Sequence, residues 1–223
     1  MEDTPMSNFS NSKTAENLMS AFMAENADGA KYQWLADECT KEQQSTLAKQ
    51  LKMIATNEMA HAKIYQDLII KHNSNNQVIS FSLDYPITQG TILEQIKNSI
   101  NAEFHQSQEV YQAFAETAQE EGFDEITKTF LHIAQVESCH ASLLDQIYDL
   151  LNKNALFKRE TEIKWKCTNC GHEATSKEAW KVCPLCKKPQ GYVKIMIPEQ
   201  DPEDAYTPPK NITSEKVSGW NKK

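Results

Sequence analysis

The chain has 223 residues, enough for one sizeable core and a small appended module. Its net charge of −8, with no Lys/Arg cluster, argues against nucleic acid or an anionic membrane as a partner. No apolar run approaches the ~20 residues of a membrane span, and the polar start MEDTPMSNFSNSK lacks a signal-peptide core, so a cytoplasmic location is expected.

In chain order, residues 1–13 read as a disordered N-terminus. A first helix is expected from Thr14 to about Asp37 and a second from about Lys41 to Lys71. The turn-rich HNSNNQ then breaks the pattern. VISFSLDYP follows as an extended segment carrying Val78, Ile79, Phe81 and Leu83, a long crossover rather than a hairpin. A third helix is expected from about Gly90 to Glu121, with Gly122 as its C′ residue. Asp124 is the expected N-cap of a fourth helix ending near Asn152. Four long helices with one long connection between the second and third fit an all-α, ferritin-like four-helix bundle over 14–157. Composition changes after Lys158. A small β/knuckle domain with clustered cysteines is expected over 160–197, and an extended tail over 198–223.

The apolar stripe of each helix is interrupted by acid. The first seam reads Leu18, Phe22, Glu25, Gly29, Tyr32; the second Leu47, Leu51, Ile54, Glu58, His61, Tyr65, Leu68. The third reads Ile92, Ile96, Ser99, Glu103, Gln106, Val110, Ala113; the fourth Ile126, Phe130, Ile133, Glu137, His140, Leu144, Ile147, Leu151. Steps of three or four residues place each set on one helix face, pointing at a common core. A buried, unpaired carboxylate costs several kcal/mol, and no Lys or Arg lies on these seams to pair with four of them. Two divalent cations balance four glutamates, and His61 and His140 add neutral donors. Glu58-x-x-His61 and Glu137-x-x-His140, joined by the single glutamates Glu25 and Glu103, form the ligand pattern of ferritin-like di-iron and di-manganese proteins. His72, His105, His132 and His172 lie off this pattern. Tyr32 and Tyr65 stand on the seams near the ligands, either as core or as hydrogen-bond partners.

Cys167-Thr-Asn-Cys170 and Cys183-Pro-Leu-Cys186 are two knuckles separated by twelve residues. They specify a tetrathiolate site that either zinc or iron would fit. Cys39 and Cys139 remain as free thiols.

The two halves together resemble the rubrerythrin family over about residues 13–196. The resemblance is carried by FMAEN around Glu25, NEMAHAK around Glu58 and His61, and AEFHQSQEVYQAFAETAQEEGFDEI from Glu103 onward. QVESCH around Glu137 and His140 and KWKCTNCG…VCPLC complete it. It implies a non-haem di-iron peroxidase that reduces hydrogen peroxide to water. Electrons would come from NAD(P)H through a reductase or rubredoxin, by way of an Fe(Cys)₄ centre. The cofactors implied are two Fe bound by Glu25, Glu58, His61, Glu103, Glu137 and His140, and one Fe, or Zn, bound by Cys167, Cys170, Cys183 and Cys186. By the same resemblance Glu58 and Glu137 bridge the irons, Glu25 and Glu103 are terminal, and Tyr32 and Tyr111 stand near the site. A homodimer or higher homo-oligomer is implied, with subunits head to tail.

One position departs from the family pattern. A second glutamate is expected three residues after Glu103, and Gln106 stands there. The resemblance implies that the missing carboxylate exchanges with the histidine at position 61 during redox cycling, so His61 is expected to stay bound in both states. Two readings from other classes remain. One is a ferroxidase or iron-binding protein with a structural zinc ribbon. The other is a redox sensor built on Cys139, whose side chain leaves the helix on a different face from the ligands.

Overall fold

The computed structural model describes residues 9–74, 76–195 and 197. Four long helical stretches form the bundle: α1 (Lys13–Lys41), α2 (Ser45–His72), α3 (Ile92–His105) continued through a π-turn at Gln106–Val110 into α4 (Tyr111–Glu120), and α5 (Asp124–Asn152). α1 packs chiefly on α2, while α3 and α4 pack on α5. The 2–3 crossover is extended and largely exposed over residues 76–91. Ile79 is buried there, whereas Val78 is 90% exposed.

Local chemistry sets the helix ends. The Ser12 side chain accepts from the Ala15 amide at 3.1 Å, and Thr91 with Glu94 forms a capping box. The Glu121 carboxylate, at the end of α4, accepts from the amides of Lys13 (3.0 Å) and Thr14 (2.8 Å), tying two elements more than 100 residues apart. Gly122, at φ +84°, takes the left-handed turn that ends α4. The N-cap of α5 is Phe123 rather than Asp124, which lies in the first turn and still favours the helix through its charge.

Two further expectations are corrected. The N-terminal segment is not loose as far as residue 13. Phe9–Asn11 forms a 3₁₀ turn, and Phe9 is buried against His72 and Phe123 at ring distances of 5.4 and 5.5 Å. An aromatic that closes the end of the bundle has reason to order the chain beside it. Residues 1–8 and the tail from 198 lie outside the described residues. The third seam also changes register. Beyond Glu103 the buried residues are Ser107, Tyr111, Gln112, Ala115 and Ala118, while Gln106 and Val110 are half-buried and Ala113 is exposed. The wider π-turn takes one more residue per turn, so across it the inward face advances in two steps of four, from Glu103 through Ser107 to Tyr111.

Two apolar clusters fill the bundle. One, around Leu18, Tyr65, Tyr111, Ile126 and Phe130, closes the Phe9 end. The other, around Tyr32, Leu35, Leu51, Ile54, Ile96 and Ile147, extends to Leu156 and Ile195 at the opposite end. Between them runs a layer of buried carboxylates and histidines.

The C-terminal module pairs β1 (Lys158–Lys166) antiparallel with β2 (Glu173–Glu178), with an irregularity between Lys158 and Ile163. Trp165 is fully buried with Ala179 and Val193, and its indole N–H donates to Ser176 O at 3.0 Å. The module seats on the start of α2, where the Thr46 hydroxyl lies 3.0 and 2.8 Å from the carbonyls of Gly191 and Val193. A Cβ on Gly191 would stand 2.1 Å from Gln43 O, so only glycine permits this approach.

Candidate metal centres

Glu25 on α1, Glu58 and His61 on α2, Glu103 on α3, and Glu137 and His140 on α5 converge in the polar layer, each buried to 6% exposure or less. They form two overlapping sets: Glu25, Glu58, His61, Glu137, and Glu58, Glu103, Glu137, His140. The donor atoms of each set lie within 4.8 Å of one another. Glu58 and Glu137 belong to both.

The distances are those of ligands around common ions. His61 Nδ1 stands 3.3 Å from Glu25 Oε2, 3.2 Å from Glu58 Oε2 and 3.0 Å from Glu137 Oε1. His140 Nδ1 stands 3.0 Å from Glu58 Oε1, 2.8 Å from Glu137 Oε2 and 3.6 Å from Glu103 Oε2. Donors bonded at about 2.1 Å to one cation lie about 3.0–3.4 Å apart. Three oxygens in this dry layer, Glu58 Oε1, Glu103 Oε2 and Glu137 Oε1, make no hydrogen bond. Orphaned buried acceptors of this kind are costly unless a cation meets them. Carboxylate and imidazole donors suit divalent iron or manganese, so the residues present fit a di-metal centre.

Without cations the cluster shares protons. Burial, then the charge of Glu137, pushes Glu25 well above the usual carboxylate range. Burial, then Glu58, pushes Glu103 up to about 8. Glu58 and Glu137 go the other way: burial raises each, but contacts from His140 and His61 outweigh it. Burial disfavours a charged His61, yet Glu137, Glu25 and Glu58 lift it to about 12. His140 is raised in the same manner by Glu103, Glu137 and Glu58.

The surroundings hold the carboxylates in place. Tyr32 donates its hydroxyl to Glu103, and Tyr111 donates to Glu25. Tyr65 packs edge-on to Tyr111 at 6.0 Å. Gln106 turns to Asp28, its Nε2 donating to Oδ2 at 2.9 Å. Two residues absent from the seam analysis also belong here. Asn57 contacts His140 Nε2 at 3.2 Å, and Asp28 is a buried acid one turn after Glu25. Asn57 had a legible signal, since it adjoins Glu58 in the NEMAHAK segment; Asp28 had none beyond its spacing.

Other histidines and thiols stand apart. His72 packs at a tilt on Phe9, His105 is exposed 3.2 Å from Glu109, and His172 packs on Trp180. Cys39 is buried in the apolar core, where burial pushes its thiol up to about 12. Cys139 is half-buried beside the cluster in sequence.

The four remaining cysteines meet at the tip of the module, their sulfurs within 4.8 Å of one another and 3.7 Å apart across Cys167–Cys186 and Cys170–Cys183. Four thiolates about 2.3 Å from one tetrahedral ion stand about 3.8 Å apart. The knuckles are built alike. Gly171 N donates to Cys167 O at 2.9 Å and Lys187 N to Cys183 O at 3.0 Å, and both Gly171 and Lys187 take positive φ. A backbone amide, that of Lys188, draws the Cys186 thiol down to about 6, towards the thiolate that binds metal.

Comparison with known proteins agrees with this architecture. A family model described as Rubrerythrin matches residues 16–148. A second, described as hydrogenase/urease nickel incorporation, metallochaperone, hypA, matches residues 102–195, which include all four clustered cysteines. The chain is 33% identical over 186 residues to a rubrerythrin of Porphyromonas gingivalis, covering 83% of this chain and 90% of that one. It is 30% identical over 191 residues to rubrerythrin-1 of Clostridium acetobutylicum, covering 86% and 98%. In fold it is similar to nigerythrin in a partially reduced state, with a TM-score of 0.56, 21% identity and coverage of 83% and 90%. It is also similar to a bacterioferritin of Desulfovibrio desulfuricans, with a TM-score of 0.58, 20% identity and coverage of 64% and 82%. Among the described residues no helix is long and apolar enough to cross a membrane. The chain belongs to the rubrerythrin family, and so to the non-haem iron oxidoreductases with a di-iron site and a rubredoxin-like cysteine site.

Proposed function

We propose that the protein is a hydrogen peroxide reductase fed by NAD(P)H through a separate reductase or rubredoxin. One observation carries this reading: a two-metal carboxylate–histidine cluster and a tetrathiolate site share one chain. Oxidation and storage of iron need the first alone, whereas repeated two-electron reduction needs a relay such as the second. In this reading Glu58 and Glu137 would be shared by the two irons, Glu25 and Glu103 would each serve one, and His61 and His140 would each offer Nδ1 to one. When bound, the iron pair would supply the two electrons needed to convert peroxide and two protons into two waters.

The chain's own residues do the rest. The apolar clusters on either side exclude water from the layer. Tyr32 and Tyr111 orient the terminal glutamates by hydrogen bonds to Glu103 and Glu25. With Nδ1 turned to the cluster, His140 presents Nε2 to the Asn57 carboxamide, which fixes the plane of the ring. Iron at the cysteine site would let it cycle, which zinc could not.

Within one chain the module seats at Thr46, twelve residues before Glu58 on the same helix, a rise of about 18 Å. The module is basic while the chain as a whole is acidic. Both favour a head-to-tail homo-oligomer in which the cysteine site of one copy serves the cluster of another.

The test is metal analysis with turnover. Purified protein should contain iron at both sites, be red from the ferric tetrathiolate, and consume peroxide with NADH and a rubredoxin reductase. A colourless protein with zinc on the cysteines and no peroxide turnover would instead support the ferroxidase reading.

A further inference from the structure

One buried carboxylate outside the cluster has no role in the reading above. Asp28 is 3% exposed and lies on α1, one turn after Glu25. Three side chains from three parts of the chain converge on it. Lys31 pairs with Oδ1 from the same helix. The Tyr85 hydroxyl donates to Oδ1 at 3.0 Å from the crossover. Gln106 Nε2 donates to Oδ2 at 2.9 Å from the start of the π-turn. Lys31 also lies over the Tyr32 ring, 4.5 Å from its centre, and Tyr32 bonds Glu103.

The placement has a pattern. The two helices that each give a single glutamate to the cluster carry a second polar side chain one turn further on. These two, Asp28 and Gln106, bond to each other. A glutamine one turn beyond Glu103 holds a neutral oxygen donor near two expected divalent ions, and divalent iron accepts such oxygens. What the structure shows is that carboxamide committed elsewhere, to an acceptor that is itself fixed by Lys31 and Tyr85.

We propose that Asp28 is a positioning residue: by binding the Gln106 carboxamide it keeps that oxygen off the di-iron site and restricts the protein donors there to four glutamates and two histidines. This rests on the di-iron reading. Asp28 acts only through Gln106, so its loss should matter only where Gln106 can respond. An acceptor, not a charge, is what Gln106 needs, so a carboxamide in place of the Asp28 carboxylate should serve.

The test uses the full chain with Co²⁺ loaded at the cluster, read by visible d–d absorption and by Co²⁺ affinity. In Asp28→Ala the freed oxygen raises the coordination number, so the bands should weaken severalfold and Co²⁺ should bind more tightly. Asp28→Asn should keep the wild-type spectrum. Gln106→Ala should keep it as well, and Asp28→Ala with Gln106→Ala together should return to it. A change that persists in the double variant, or no change in Asp28→Ala, overturns the proposal. Should Asp28→Ala not fold, Gln106→Glu serves. A glutamate facing Asp28 is repelled towards the cations, so Co²⁺ affinity should rise about tenfold and the spectrum should change, and an unchanged spectrum and affinity would overturn it too. If wild-type protein takes up no pair of Co²⁺ ions, the di-iron reading itself fails, an outcome distinct from either.

Discussion

Loading metal into the metal-free cluster should release protons in a number the structure bounds. In the metal-free protein His61 is held near 12 and Glu103 near 8, so both carry a proton at pH 7. Glu25 and His140 are also raised, well above their ordinary values. Glu58 and Glu137 are lowered and bring none. With four protons bound, the six side chains carry two imidazolium charges against two carboxylates and are neutral. Two M²⁺ ions against four carboxylates and two neutral imidazoles are neutral as well. Metal therefore replaces at least about two protons, those of His61 and Glu103, and about four where Glu25 and His140 hold theirs as well. The sign follows: protons compete with metal, so affinity falls as pH falls, and the product of the two binding constants should drop roughly 10⁴-fold per pH unit near pH 7 when four are released. Calorimetric titration of cysteine-site-loaded protein with Mn²⁺, repeated in buffers of different ionisation enthalpy, counts the protons. Release below one proton, or an affinity flat between pH 6 and 8, would refute the assignment of these groups as ligands.

Three further outcomes are expected. Glu121→Gln should cost about 1 kcal/mol at neutral pH by weakening the carboxylate cap on Lys13 and Thr14. The folded-state pKa of Glu121 is lowered, so this difference is present above the unfolded value of about 4.3 and is lost as pH falls through the folded one, as denaturant titrations across pH 2–7 would show. Gly191→Ala puts a methyl 2.1 Å from Gln43 O and should loosen the module from α2 at a cost of about 1–3 kcal/mol, seen as faster hydrogen exchange around Thr46 with the Cys₄ spectrum retained. Deleting exposed Glu109 leaves Glu103 and Tyr111 seven positions apart, which regular α-helix holds within about 20° of one another, so the π-turn should close into α-helix with both side chains still inward, and the cluster should keep stoichiometric metal uptake in a metal titration.

The parts of the site legible in sequence were those that follow from local rules. Glu58 and His61, or Glu137 and His140, are one turn apart on regular helix, and the cysteine knuckles are closed by turns four residues long. Periodicity alone puts such residues together. Asp28 is different. It lies on the flank of α1 and its partners Tyr85 and Gln106 are 57 and 78 residues away, so nothing near it in sequence marks it as buried. The junction at Thr46 and Gly191, 145 residues apart, was hidden for the same reason.

The π-turn shows why the third seam failed beyond Glu103. Eight residues of regular α-helix would leave Glu103 and Tyr111 about 80° apart around the axis. Both are nevertheless buried, at 1% exposure, one in the ligand set and the other bonded to Glu25. A helix that must present both inward has to absorb the mismatch, and it does so at Gln106–Val110, five of the seven residues between them. Their local sequence does not call for a π-turn. The demand comes from Glu25 on another helix and from the metals the cluster is built to hold, and a distortion justified only by long-range contacts of a functional site is the kind that helical periodicity cannot foresee.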